Sequence, residues 1–277
     1  VGMKRAASKA LRWLLPLLIS GLAIWLVLRE IEISQFVTNM RLIRWPTLLL
    51  ASVFYFLSYS VRVFCWYILL RRKVSYRDAF FTMGVGYLLN NIFPMRLGEI
   101  GRAVFLDDPE QISMFEVLSS VVVERIFDVF LAAVFLLSVL PRILGGNYDQ
   151  RLITIALVIA VIGLVVLFLL ANNRLRIGTW LDRWGEVSRF IKHWLTPKIL
   201  HALEGLSVLT RPRAFLLAFF SLALSWGLAF VQNDLIFSNL YPDPPFWWMT
   251  FVLSAGAFAA ALPSAPAGLG VFEGAVV

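Results

Sequence analysis

Glu124, Arg125 and Asp128 interrupt an otherwise apolar run, Val117–Leu140. A charged side chain at the centre of a membrane helix costs about 2.5–3.5 kcal/mol on insertion scales, so such residues face a polar interior. Asp128 lies about 16 Å along the helix from the start of the run, close to the midplane of a bilayer. Spacing of four places Glu124 and Asp128 on one helix face, and Arg125 reaches Asp128 at spacing three. Two readings fit: a charge-compensated contact between helices, or the wall of a polar cavity. Both require that this face be hidden from lipid.

A second cluster is Asn90-Asn91-Ile92-Phe93-Pro94-Met95-Arg96-Leu97-Gly98-Glu99-Ile100-Gly101-Arg102. A helix that breaks at membrane depth frees backbone groups, which is tolerated only inside protein or beside a wet cavity. The Asn90 and Asn91 amides offer donors and acceptors near the break. Arg96 and Arg102 offer forked, permanently charged donors suited to phosphate. Glu99 lies three residues from each and is placed to clamp both. So much polar function on a short apolar element points to a binding site. A third cluster, Pro263-Ser264-Ala265-Pro266-Ala267-Gly268-Leu269-Gly270-Val271-Phe272-Glu273, repeats the theme of proline, glycine and glutamate after an apolar run. Paired interrupted segments of opposite orientation mark the central site of inverted-repeat transporters. The shared pattern is short, and chance accounts for it equally well.

The elements that must position these residues follow from composition. Of 277 residues 60% are apolar and 15% charged, with a net charge of +8. An ordinary soluble domain is about 45–50% apolar. This excludes a disordered chain, a disulfide scaffold and a typical cytosolic enzyme, and predicts an all-α polytopic membrane helical bundle with re-entrant or broken helices and a possible inverted repeat. The single cysteine, Cys65, cannot form an internal disulfide, and His193 and His201 have no third ligand near them in sequence. No metal, cofactor or nucleic-acid partner is expected. The basic start followed by Trp13–Leu28 resembles a secretory signal, but Leu28-Arg29-Glu30-Ile31-Glu32 offers no small-residue cleavage pattern, so a retained first span is expected.

Apolar runs long enough to cross are Leu11–Leu28, Trp45–Leu70, Val117–Leu140, Leu152–Ala171 and Ala214–Phe237. Ala79–Phe93 and Phe246–Leu262 are shorter and end at proline. Basic residues concentrate at the N-terminus, at Arg71, Arg72, Lys73 and Arg77, and in 172–213. The positive-inside rule wants all three on the cytoplasmic side. That parity holds if Ala79–Phe93 enters from the cytoplasm and turns back, with the connection 95–116 also facing inward. A short true third helix with a basic outer loop is the alternative. Asp107, Asp108, Glu110 and Glu116 are read as solvated residues with solubility or turn roles.

Segment 172–213 is expected to be a cytoplasmic amphipathic segment. Ile177, Trp180, Leu181, Trp184, Val187, Ile191, Trp194 and Leu195 recur at helical spacing with Arg183, Arg189 and Lys192 between them. Pro197 ends this piece, and Ile199, Leu200, Leu203 and Leu206 outline a second. Gripping anionic lipid at headgroup level and packing against neighbouring helices explain the pattern equally.

At four places the chain resembles the transmembrane region of the lysylphosphatidylglycerol synthase family, also described as flippase-like integral membrane proteins. They are Arg62 with Trp66; Asn90-Asn91-x-x-Pro94-x-Arg96-x-Gly98-Glu99-x-x-Arg102; Glu124-Arg125-x-x-Asp128; and Pro263-x-x-Pro266-x-Gly268-x-Gly270-x-x-Glu273. Ala267 departs from the glycine expected beside the proline. Similar proteins continue with further membrane helices beyond the apolar sequence that reaches Val277, so the resemblance implies that residues 1–277 are a single flippase-like transmembrane domain, truncated at its C-terminus. The resemblance implies translocation of a lipid or lipid-linked anionic headgroup between leaflets of the inner (plasma) membrane, with the N-terminus cytoplasmic. The expected substrate-binding residues are Asn90, Asn91, Arg96, Glu99, Arg102, Glu124, Arg125, Asp128 and Glu273. An intramembrane enzyme acting on a lipid phosphate is the alternative, with the same carboxylates as base or metal ligands. A structural partner of a separate lipid synthase or glycosyltransferase is another. No phosphate-cradling Gly-x-x-x-x-Gly-Lys-Ser/Thr loop occurs, so nucleotide hydrolysis is not expected to drive transport.

Overall fold

A computed structural model of the chain describes residues 38, 40–93, 97–108, 110–143, 158, 161–163, 165–166, 168–185, 196–241 and 243–261. Among these the architecture is all-α. The helices are α1 (Trp45–Leu69), α2 (Tyr76–Ile92), α3 (Leu97–Phe105), α4 (Met114–Ile143), α5 (Arg174–Gly185), α6 (Thr196–Gly205), α7 (Pro212–Phe237) and α8 (Phe246–Ala261), with a 3-10 turn at Leu206–Thr210. Among the described residues α1, α4 and α7 are long and apolar enough to cross a membrane. The expected span Leu11–Leu28 lies outside the described residues, as does the beginning of Leu152–Ala171. The end of that run continues into α5 through a 67° bend between Val161–Asn172 and Arg174–Trp180.

Local chemistry sets the helix ends. Proline stands in the first turn of α1 and of α7, where its missing N–H costs no hydrogen bond. The Ser75 hydroxyl caps α2 by accepting from the Asp78 N–H at 3.1 Å. Asp107 accepts from the Met114 N–H at 2.8 Å where α4 begins, which is the turn role its position suggested. Pro197, expected as a terminator, also opens the next helix, since it is the second residue of α6.

Side-chain contacts fix the helix directions. The hydrogen bond from the Arg44 N–H to Asn239 at one end, and those between Ser58 and Ser225 further along, run α1 antiparallel to α7. Trp66 meeting Ser120 while Arg62 meets Asp128 runs α1 antiparallel to α4. Phe127 packs edge-on against Phe215, and Phe135 against Phe230, so α4 and α7 are parallel. Trp45, Leu49, Val53 and Phe56 form an exposed apolar stripe on α1, the surface that lipid rather than water would cover.

The expected turn-back appears as a hairpin of α2 and α3. Gly86 faces Arg102, Asn90 faces Gly98, and Thr82 with Asp78 shares a cavity with Leu106 and Asp107. The chain therefore returns to the end it left, as a re-entrant element must. One detail differs from the sequence reading: 95–116 was taken as a plain connection, yet Leu97–Phe105 is helical. The Gly98 N–H donates to Asn90 Oδ1 at 2.8 Å, satisfying one of the orphan donors of the new helix. Glycine is required at 98, because a Cβ there would overlap the Gly86 carbonyl oxygen.

Two of the three basic segments that the positive-inside rule placed together converge, the N-terminal one lying outside the described residues. Arg71 Nη1 donates to Glu204 Oε1 at 2.8 Å, and Lys73 Nζ to Glu116 Oε2 at 2.7 Å. These contacts join the turn after α1, the start of α4 and α6 at one end of the bundle, here the basic end. Arg71 and Arg72 adopt φ of 59° and 58°, a left-handed conformation costly for side-chain-bearing residues. The Glu204 bridge holds that turn. Glu116 corrects the sequence reading: it is buried, not solvated, because Lys73 compensates its charge, with His201 Nδ1 3.7 Å away. His201, thought isolated, lies on α6 with the carboxylates of Glu116 and Glu204 nearby. The Arg71 hydrogen bond holds the Glu204 carboxyl below its ordinary titration range.

Candidate functional site

Six ionised side chains from three helices meet where α1, α3 and α4 cross. Glu124 uses both oxygens. Oε1 accepts from Arg62 Nε at 3.0 Å, and Oε2 from Arg102 Nη2 at 2.6 Å. Asp128 is held by Arg62 from α1, by Arg125 Nη1 at 3.1 Å and by the Trp226 indole N–H at 3.0 Å. Arg125 Nε lies 2.8 Å from Glu99 Oε1. Three guanidiniums thus face three carboxylates from α1, α3 and α4, with α7 supplying the tryptophan.

Burial explains why the network is so closely paired. Glu124 is 0% and Arg102 1% exposed. Desolvating an ion costs several kcal/mol, repaid only by good geometry and a satisfied hydrogen-bond shell. Arg102 gains a further partner in the Trp66 ring, whose centroid is 4.1 Å from its guanidinium carbon. Trp66 is itself oriented by its N–H, which donates to Ser120 Oγ at 3.0 Å. Gly86 makes room for the arginine stem: a Cβ there would come within 2.5 Å of Arg102 Cγ and Cδ.

Arg62 faces two ways. Its Nε and Nη2 are spent on Glu124 and Asp128, whereas Nη1 has no hydrogen-bond partner among the described residues. The same side chain lines a cavity of about 250 Å³ between α1, α2, α7 and α8. Tyr55, Tyr59, Tyr87, Trp226 and Gln232 form its walls, with Ser58 and Ser225 closing the seam between α1 and α7. A cavity of this kind, apolar and aromatic with one forked cation at its base, can seat a phosphate or carboxylate attached to an apolar body.

The sequence-predicted residues divide clearly. Glu99, Arg102, Glu124, Arg125 and Asp128 are brought together in one network. Glu99 was expected to clamp Arg96 and Arg102. It pairs with Arg125, and Arg102 turns to Glu124, whereas the Arg96 half of that clamp lies outside the described residues. Asn90 caps α3, and Asn91 is exposed beside the break. Arg96 and Glu273 lie outside the described residues. Sequence reasoning left Arg62 out of the binding set, although the depth argument that singled out Asp128 applies equally to a cation inside Trp45–Leu70. Tyr59, Tyr87 and Trp226 carried no comparable signal, since aromatics abound in apolar runs.

The family model described as the lysylphosphatidylglycerol synthase TM region matches residues 13–277. Neither the comparison with curated proteins nor that with solved structures found a match. A match over nearly the whole length, on a chain whose apolar helices enclose this charge network, leads to one conclusion: the protein is a multi-pass membrane protein and belongs to the lysylphosphatidylglycerol synthase transmembrane-region family.

Proposed function

We propose that the chain translocates a lipid, or a lipid-linked group, with an anionic phosphate-bearing head between the two leaflets of the inner membrane, its N-terminus on the cytoplasmic side. The observation that carries this reading is Arg62, a guanidinium shared between a buried carboxylate pair and an aromatic cavity between helices. At about 250 Å³ the cavity is below the roughly 300–1,000 Å³ of drug-sized sites, which suits a headgroup whose acyl chains stay in the bilayer. The phosphate would pair with Arg62 Nη1, the aromatic walls would shield its polar group from hydrocarbon, and the network would hold Arg62 in place between passages. Arg102 takes a positioning role under this reading, since Glu124 and Trp66 enclose it. A separate lipid synthase or glycosyltransferase would supply or consume the transported lipid.

Reconstitution in liposomes with a fluorescent phospholipid, quenched from outside, tests the proposal. The native chain is expected to bring inner-leaflet lipid within reach of the quencher. Arg62→Gln should slow this about tenfold, a barrier change of ~1.4 kcal/mol. Arg62→Lys should recover only part of the rate, because an ammonium cannot span two carboxylates and a phosphate as a fork does. Equal rates in native and empty vesicles would overturn the reading.

A further inference from the structure

Beyond the Arg62 cavity lies a second one of about 430 Å³ between α4, α7 and α8, at the end of the bundle opposite the basic end. Phe135 and Phe230 line its inner side, and Ser138, Arg142, Trp247 and Thr250 line the rest. Arg142 is exposed and makes no ion pair or hydrogen bond among the described residues. Among the described residues its charge is therefore unspent, unlike the charges of the six-residue network. A forked cation lining the same cavity as aromatic rings matches the chemistry of an amphiphilic phosphate: the guanidinium takes the oxygens, and the rings take the adjoining carbons.

One layer of rings separates the two cavities. Trp226 borders the Arg62 cavity and stacks on Phe135, with centroids 5.7 Å apart. Phe230 meets Trp226 at 5.8 Å and Phe135 edge-on at 4.8 Å. The Trp226 N–H is tied to Asp128, the same carboxylate that holds Arg62. An occupant that draws the Arg62 guanidinium toward itself thus changes the partners of the group anchoring the ring layer.

We infer that the Arg142 cavity is a second headgroup seat for a phosphate-bearing amphiphile, and that Trp226, Phe135 and Phe230 form the partition between it and the Arg62 seat. The partition rests on the translocation reading, since it has a role only if a headgroup passes between the seats. The seat itself is tested separately.

Cys65 is the chain's single cysteine and is buried, so Ser138→Cys places one accessible thiol in the second cavity. In detergent, the rate at which an uncharged methanethiosulfonate modifies that thiol is measured with three additions: short-chain phosphatidylglycerol, diacylglycerol of the same chains, and inorganic phosphate. Phosphatidylglycerol is expected to slow modification about tenfold, the other two to leave it unchanged, and Arg142→Gln to abolish the protection. Equal protection by diacylglycerol, or protection that survives Arg142→Gln, would overturn the seat. Protection by inorganic phosphate alone would make it a free-anion site and overturn it as a lipid seat. In liposomes, Trp226→Phe keeps a ring but loses the tie to Asp128, and faster lipid equilibration than native is expected. If the native chain moves lipid while Trp226→Phe and Arg142→Gln match it, this inference fails and the translocation reading stands. If the native chain moves none, the translocation reading and the partition fall together, while thiol protection still decides the seat.

Discussion

Glu124 carries more of the network than any other side chain, because each of its oxygens answers an arginine from a different helix. Glu124→Gln would leave Arg102 buried without its carboxylate, and breaking a buried pair in this way costs about 3–5 kcal/mol. Asp128→Asn is expected to cost less: Arg62 keeps Glu124, Arg125 keeps Glu99, and the amide oxygen still accepts from Trp226. Thermal unfolding of the two variants in detergent checks the order, and a larger loss for Asp128→Asn would refute this division of roles. At this scale the sequence was informative wherever charge stood in apolar surroundings. Partner choice was not legible. Glu99 stands three residues before Arg102 in the chain, yet Arg102 meets Glu124 and Glu99 meets Arg125, because α3 approaches α4 closely.

The hairpin of α2 and α3 is built on backbone contact rather than on interlocking side chains. Gly98→Ala would push its methyl group into the Gly86 carbonyl, so the two helices must separate and carry Arg102 away from Glu124. The expected result is a loss of several kcal/mol and, under the proposed function, loss of lipid movement. Asn90→Ala removes only the α3 cap and should cost about 1 kcal/mol. Denaturation of the two variants side by side distinguishes these effects, and a Gly98→Ala protein as stable as native would disprove the close approach. The long helices α1, α4 and α7 were legible as apolar runs, and the turn-back followed from charge parity. The helical character of 97–105 was not, because nine residues following a proline and broken by Gly98 and Gly101 carry little propensity of their own. Tertiary contact with α2 supplies what local sequence lacks.

Across the whole molecule, charge sorts the two ends. The basic end is tied by Arg71–Glu204 and Lys73–Glu116, and its titration has a definite sign. Glu204 titrates below its ordinary 4.5 in the folded chain, so its stabilising contribution is fully present above that value and is lost as pH falls through the lowered one. Glu204 is 40% exposed, and solvent screening keeps the contribution to about 1 kcal/mol or less. Unfolding midpoints of native and Glu204→Gln chains should differ slightly at pH 7 and converge below pH 4. A gap that widens in acid would contradict the assignment. The convergence of the basic segments was legible from charge counting, whereas the burial of Glu116 was not, since the pairing with Lys73 spans two helices. At the seam between α1 and α7, each of Ser58 and Ser225 donates its hydroxyl to the other's main-chain oxygen, at 2.8 and 3.0 Å. Prising these helices apart would cost both hydroxyls their partners across the seam. That seam therefore pins α1 to α7 as one unit of the bundle.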